Sequence, residues 1–411
     1  RVKYEQLHKT LGPELEFDPK SICMAGSYLH QGNLFGMTAL SSLDNFSQLE
    51  QHRLIYESLV KLTLHEVGHT LGLNHNFFAS NLHSLQNIHD RNITEPVGLT
   101  SSVMDYVSAN VNKDSKHHGQ FYSTTPGPYD IWAIQFGYTP PLESSLEEKM
   151  RTESLLSQST KKEFGFGNDA DDMRSPGKGI DPRVMIGDMS DDPVGYAQDR
   201  MDHVRSLYHG LRKRYEKKGE SYHAFSDAIS ILNREYSSAA TVISRYIGGV
   251  FLDRSLVGQQ YREKPFTPVP ETQQKWAMTL LKKYIFSPTA FKMPEGIFDH
   301  LQWERRGFSG TNDPKIHDQF LGVQKGILNH LLHINVVKRI SDSEMYGNSY
   351  GLSAMMSDLT DACFSADYGT NVNTVRRNLQ IEYTERLIRI VQNKGKLKYD
   401  NITVSFAFDN L

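Results

Sequence analysis

Cysteine is nearly absent from this chain: Cys23 and Cys363 are the only two in 411 residues. Two thiols so far apart in sequence make no disulfide framework. Cys363 falls on a helical stripe with Leu352, Met356 and Leu359, which predicts a buried free thiol rather than a bridge. Long apolar runs are also missing. No stretch of about eighteen apolar residues occurs, which excludes a membrane-spanning helix. The formal net charge is only −3, so no field capable of drawing in nucleic acid is implied. The chain opens on Arg1, and no signal peptide follows; we expect a processed or trimmed fragment. Hydrophobic residues at 38% and charged residues at 23% fit a globular chain with ample cores.

What is present in excess is histidine, seventeen residues, and one group of them is ordered. Leu64 to His75 reads LHEVGHTLGLNH. On a helix, His65 and His69 project from one face, and two neutral imidazoles at that separation can share one Zn²⁺. Glu66 lies beside that face, where it can hold a water and take its proton. Gly72 is the natural residue to end the helix, because glycine adopts positive φ without steric cost. The ensuing turn returns His75 as a third ligand. Three protein ligands plus water is the catalytic arrangement of zinc. By chance, a bare H-E-x-x-H arises in about one chain in twenty-five of this composition; adding the glycine and the third histidine lowers that to about one in ten thousand.

Downstream, Ser102 to Tyr106 reads SVMDY. H-E-x-x-H-x-x-G-x-x-H followed by a methionine turn is the metzincin signature, and the chain resembles a metzincin zinc endopeptidase. The stretch GPYDIWAIQFG at 127–137, FGFGND at 164–169 and DMSDDP at 188–193 narrow the resemblance to the large bacterial zinc-dependent metalloproteases with a Met-zincin domain. That resemblance implies an apolar floor beneath the imidazoles from Met104, and an oxyanion-stabilising hydroxyl from Tyr106. It also implies a polypeptide substrate and an exported bacterial protein.

The clan normally places a twisted sheet ahead of the zinc helix. Residues 1 to 45 do not read as one. Gly12-Pro13 and Asp18-Pro19 mark turns, and Ile22 to Leu40 shows apolar residues without a clean period. Either the strands lie upstream of Arg1 or this family builds its cleft differently. The zinc helix itself is expected from Ser47 to Leu71, opened by a Ser47/Glu50 capping box and fixed by a stripe of Ile55, Leu59 and Leu62. Residues 76 to 100 read as loop. His83 and His89 within it, and His117-His118 beyond it, are expected to face solvent, since the ligand set is already complete.

Residues 129 to 136 predict a short helix with Trp132 buried, and 142 to 160 a polar helical connector. Between 164 and 193, alternating Asp and Gly make either an oxygen-rich Ca²⁺ loop or a plain acidic loop. Beyond Pro193 the period is helical: Phe225 to Ile247, Glu271 to Phe286, Ile327 to Ile340, Leu352 to Phe364 and Val375 to Val391. Ile402 to Phe408 alternates and reads as a strand. Arg212 to Lys218 reads as a solvated helix end.

The expected fold is therefore α+β and predominantly helical. A metzincin-like catalytic domain over 1–141 leads through a connector with the acidic loop, 142–193, to a helical C-terminal domain, 194–411. The expected activity is peptide hydrolysis by zinc-activated water with Glu66 as general base. The alternatives are a domain that holds zinc and peptide without cutting, and an enzyme acting on a non-peptide amide.

Overall fold

The computed structural model describes residues 23–42, 47–114, 118–172, 176–260, 262–304, 313–393 and 398–411. The turns expected before Cys23, and His117, lie outside the described residues. Fourteen helices dominate the described residues. In chain order they are α1 Ala25–Ser41, α2 Gln48–Thr70, α3 Arg91–Val97, α4 Pro128–Tyr138, α5 Ser145–Leu156, α6 Asp169–Asp172, α7 Pro193–Tyr215 and α8 His223–Arg245. After β1 Val250–Leu252 and β2 Phe266–Pro268 come α9 Glu271–Leu281, α10 Ile316–Leu331, α11 Ile334–Ser343, α12 Leu352–Phe364, α13 Thr374–Gln392 and α14 Asn401–Asp409. The two strands pair antiparallel and form the sheet of the described residues. No described helix is long and apolar enough to cross a membrane.

Ahead of the zinc helix stands a helix, α1, where the clan pattern called for strands. Its period was obscured because two of its contact residues are glycines. A Cβ on Gly32 would come within 2.5 Å of the Tyr122 hydroxyl, and one on Gly36 within 2.7 Å of Leu54 Cδ2. The backbone of α1 therefore packs directly against its neighbours, as small residues permit. α1 lies on both α2 and α8, so it ties the zinc helix to the C-terminal helices. The largest apolar core is continuous across that junction, from Leu29, Phe35 and Leu54 to Val204, Leu232 and Ile243 and on to Leu359 and Leu387.

α7 and α8 form the longest antiparallel pair. α8 buries Phe225, Ala228, Ile229, Leu232, Tyr236, Ala240 and Ile243 along one face, the helical spacing expected, and ends before Gly248-Gly249. The span 327–340 is broken into α10 and α11 rather than continuous. The tail 401–409 is helix α14, not a strand: Asp400 caps it by accepting from the Thr403 N–H at 2.7 Å. An N-cap of that strength outweighs a short alternation. Cys363 is fully buried and unpaired.

Candidate metal centre

α2 runs over Gln48–Thr70 with Ser47 as N-cap residue, close to the expected bounds, but its internal logic differs from expectation. Ser47 makes no capping hydrogen bond, and Glu50 pairs with Arg53 at 2.5 Å instead of closing a capping box. Ile55 and Leu59 are exposed, at 38% and 59%. The buried face is Leu54, Glu57, Ser58, Lys61, His65 and Gly68, turned away from the expected stripe. Polar residues at buried positions need partners, and these have them. Glu57 accepts from the Phe121 and Tyr122 N–H groups at 2.6 and 3.2 Å. Lys61 Nζ donates to the Val103 carbonyl at 2.8 Å.

The helix stops at a complete Schellman turn. Gly72 sits at φ +86°, its N–H bonds His69 O at 3.0 Å, and the Leu73 N–H bonds Gly68 O at 3.0 Å. That is the arrangement a glycine one residue past the C-cap makes possible. It reverses the chain and carries His75 back toward the first two imidazoles.

The three rings converge. Ring centroids lie 4.8 Å apart for His65–His69, 4.9 Å for His69–His75 and 5.4 Å for His65–His75. Each ring is oriented from behind through Nδ1: His65 to Val103 O at 2.7 Å, His69 to Leu73 O at 3.0 Å, and His75 to Asp169 Oδ2 at 2.5 Å. A carbonyl can only accept, so Nδ1 of His65 and His69 carries the hydrogen and Nε2 keeps its lone pair. His69 Nε2 is buried with no hydrogen-bond partner. Three imidazoles whose far nitrogens are tied to acceptors are a donor set that could hold zinc.

Electrostatics differ among the three. Burial, reinforced by the Lys61 charge, pushes His65 down to about 3, so that ring is neutral at physiological pH. For His75, burial also lowers the value, but the bonds to Asp169 and Cys23 outweigh it and raise the ring to about 9. Glu66 is exposed beside the cluster. Tyr106 is buried, and its hydroxyl lies 2.8 Å from His75 Nε2 and accepts from the Met24 N–H at 2.9 Å.

Met104 is fully buried. A Cβ on Gly68 would meet its Sδ at 2.4 Å, so the methionine lies directly against the backbone of α2 between the first two ligands' turns. Asp130, the fourth residue of the GPYD stretch, clamps the methionine turn. Its carboxylate accepts from Ser102 Oγ at 2.5 Å, from the Val103 N–H at 2.8 Å and from the Gly127 N–H at 2.9 Å. Spacing alone carried no sign of that role, nor of Lys61's.

Three expectations about other histidines are corrected, His89 among them: its ring is half-buried, and burial lowers it to about 4. His83 is buried and its Nε2–H donates to Gly98 O at 2.7 Å; it braces the segment 76–100, which holds helical turns and α3 rather than plain loop. His118 is half-buried and burial lowers its pKa. Trp132 is half-buried, its indole N–H donating to Leu155 O at 2.9 Å.

Among the described residues the acidic-loop carboxylates do not come together as a metal-holding group, and Ca²⁺ is not supported. Asp169 faces His75, Asp172 pairs with Arg245 at 3.0 Å, Asp181 with Arg183 at 2.7 Å, and Asp191 with Lys162 at 3.1 Å. Asp188 accepts from Ser80 Oγ and Asp192 caps α7. Among the described residues, the group able to hold a metal is His65, His69, His75 and one residue with no counterpart in the motif, Cys23.

A protein-family model described as Met-zincin matches residues 47–371, more than half of the chain and including every residue of the site except Cys23. No curated protein and no solved structure matches.

Proposed function

The chain belongs to the Met-zincin family, and from that premise we propose that it is a zinc-dependent endopeptidase. The observation that carries the reading is the orientation of the three imidazoles. Each Nδ1 is held by an acceptor behind it, which leaves three Nε2 atoms facing a common centre. A structure without function at this point would not leave His69 Nε2 buried and unpartnered, because such a group costs about 1–3 kcal/mol.

Bound there, Zn²⁺ would act as a Lewis acid and bring the pKa of a coordinated water to about 7. His65, His69 and His75 would hold it. Glu66, exposed at the edge of the cluster, receives the proton of the attacking water and delivers it to the leaving amine. In this reading the Tyr106 hydroxyl, which lies 2.8 Å from His75 Nε2, turns to the substrate carbonyl oxygen as charge builds on it, a contribution of about 3 kcal/mol in comparable sites. Met104 and Asp130 do no chemistry in this scheme: Asp130 fixes Val103, whose carbonyl orients His65, and Met104 packs against α2 at Gly68.

Zinc content and cleavage of a peptide library, with and without chelator, test the proposal. Glu66→Ala should keep zinc and lose turnover by about 10²–10⁴-fold, while His69→Ala should lose both. Full activity in Glu66→Ala would overturn the mechanism. A second reading, a protein that holds zinc without cutting, draws on one observation: Cys23 stands where a catalytic zinc site keeps its open position.

A further inference from the structure

Cys23 Sγ lies 3.4 Å from His65 Nε2, 3.4 Å from Glu66 Oε1 and 3.3 Å from the Tyr106 hydroxyl. The four candidate ligand atoms, three ring nitrogens and this sulfur, all fall within 4.8 Å of one another. A tetrahedral zinc with bonds of about 2.1 Å to nitrogen and 2.3 Å to sulfur needs its ligand atoms about 3.3–3.6 Å apart. The observed grouping needs only small side-chain adjustments to reach that geometry.

The sulfur is not placed by a loose tail. Cys23 immediately precedes α1, whose first turns pack into the site. Ala25 is buried with Phe77, Tyr106 and Val184, and Cys23 and Tyr28 pack against that cluster. Tyr28 stacks on Tyr106 at 5.0 Å, and the Met24 N–H donates to the same tyrosine hydroxyl. The N-terminal end of a helix also favours negative charge on a neighbouring sulfur. Two independent facts point to a ligand rather than an isolated thiol: fully buried His65 directs Nε2 at the sulfur, and His69 Nε2 is buried with nothing else to face.

We propose that the Cys23 thiolate is the fourth protein ligand of the metal, so that the resting site is a closed Cys-His₃ centre that opens only when Cys23 leaves. The proposal rests on the zinc-site reading above. On binding, the S–H bond breaks, the sulfur lone pair goes to the metal, and the proton passes to the Glu66 carboxylate or to solvent; any water in the fourth position departs. The open position is then occupied, and the base needed for turnover with it when Glu66 takes the proton. Because α1 is part of the folded core, opening requires modification of the sulfur or movement of Cys23 away from the three rings.

Cobalt substitution of the full chain tests this directly. The wild-type protein should show an intense near-ultraviolet sulfur-to-cobalt charge-transfer band, lost in Cys23→Ser while one equivalent of cobalt remains bound. Cys363 is fully buried, so a thiol reagent applied to the native protein reads Cys23 alone. That reaction should proceed in the metal-free protein and stop when zinc is loaded. A cobalt-loaded wild type without the band, or a zinc-loaded protein whose Cys23 still reacts freely, would overturn the thiolate ligand and leave the three-histidine centre intact. Failure of the wild type to bind any metal would overturn both readings. Peptide cleavage gained in Cys23→Ala marks the closed form as latent. A sulfur band with no cleavage by any variant upholds the ligand and defeats the endopeptidase.

Discussion

The Nδ1–H of His75 donates to Asp169 Oδ2 at 2.5 Å across 94 residues of sequence. This one bond ties the returning end of the zinc turn to the Gly/Asp-rich stretch. The stretch is anchored there on the same side by the Asn76 side chain, which donates to Gly165 O at 3.0 Å, and by the Phe77 N–H, which bonds Gly167 O at 2.7 Å. The acidic stretch thus works as an orienting wall for the His75 ring.

Asp169→Ala should weaken zinc binding by about 10–100-fold, the range found when a carboxylate behind a metal-ligating histidine is removed. Chelator competition at neutral pH measures it. Asp169→Asn, which keeps an acceptor oxygen, should fall between the variant and the wild type. An unchanged affinity in Asp169→Ala would mean that the His75 ring is held by packing against Phe77 alone, 5.4 Å away between centroids.

The convergence of His65, His69 and His75 was legible because local spacing fixes it: i, i+4 on one helix face, then a glycine where the helix must turn. The supporting groups were not, because they act between distant segments. Asp130 reaches the methionine turn and Asp169 reaches His75, yet nothing in their own neighbourhoods distinguishes them from surface carboxylates. The zinc helix was located to within a residue at each end while its buried face was misassigned. Apolar residues at 55 and 59 suggested a core stripe, but the interior face of α2 meets polar groups: backbone at Val103, Phe121 and Tyr122, which Lys61 and Glu57 satisfy, and the Asn33 side chain of α1, which donates to Ser58. Tail residues 402–408 alternated like a strand, and a cap at Asp400 decided otherwise. Most of the C-terminal helices were legible because their buried faces are apolar and repeat over several turns, whereas the break between α10 and α11 was not.

Lys61 is the sharpest case. Its side chain is fully buried, its Nζ shares the Val103 carbonyl with His65, and burial lowers its pKa to about 8 against the opposing pull of Asp105 and Asp130. Lys61→Met keeps the volume and deletes the charge, leaving two buried carboxylates uncompensated. We expect a loss of about 3 kcal/mol, read as a lower urea midpoint. A midpoint unchanged from wild type would mean that Asp105, itself pushed up to about 7 by burial, simply takes up the proton.

Gly68 is a helix-interior glycine, a position where alanine ordinarily stabilises by about 1 kcal/mol. Here the opposite sign is expected. The added Cβ would press on Met104 Sδ at 2.4 Å, and Met104 is fully enclosed. Gly68→Ala should cost about 1–3 kcal/mol by overpacking and should weaken metal binding, since the strain falls between His65 and His69. Thermal unfolding of the metal-free protein separates the first effect from the second.

Acid sensitivity should come in part from His330. It is fully buried on α10, and burial, with the charges of Arg245 and Arg339, holds it at about 3 against an ordinary 6.5. The folded state therefore keeps this ring neutral where the unfolded chain would protonate it. Its contribution is complete above about pH 6.5 and is lost as pH falls toward 3, at about 1.4 kcal/mol per pH unit across that window. His330 Nδ1 accepts from the Gly177 N–H at 3.5 Å, and asparagine can supply an acceptor there without titrating. In His330→Asn, stability measured between pH 7 and 5 should decline less steeply than in the wild type, by close to that slope. Parallel curves for the two proteins would show that His330 is protonated in the folded state after all, with its charge met by a rearranged partner rather than excluded.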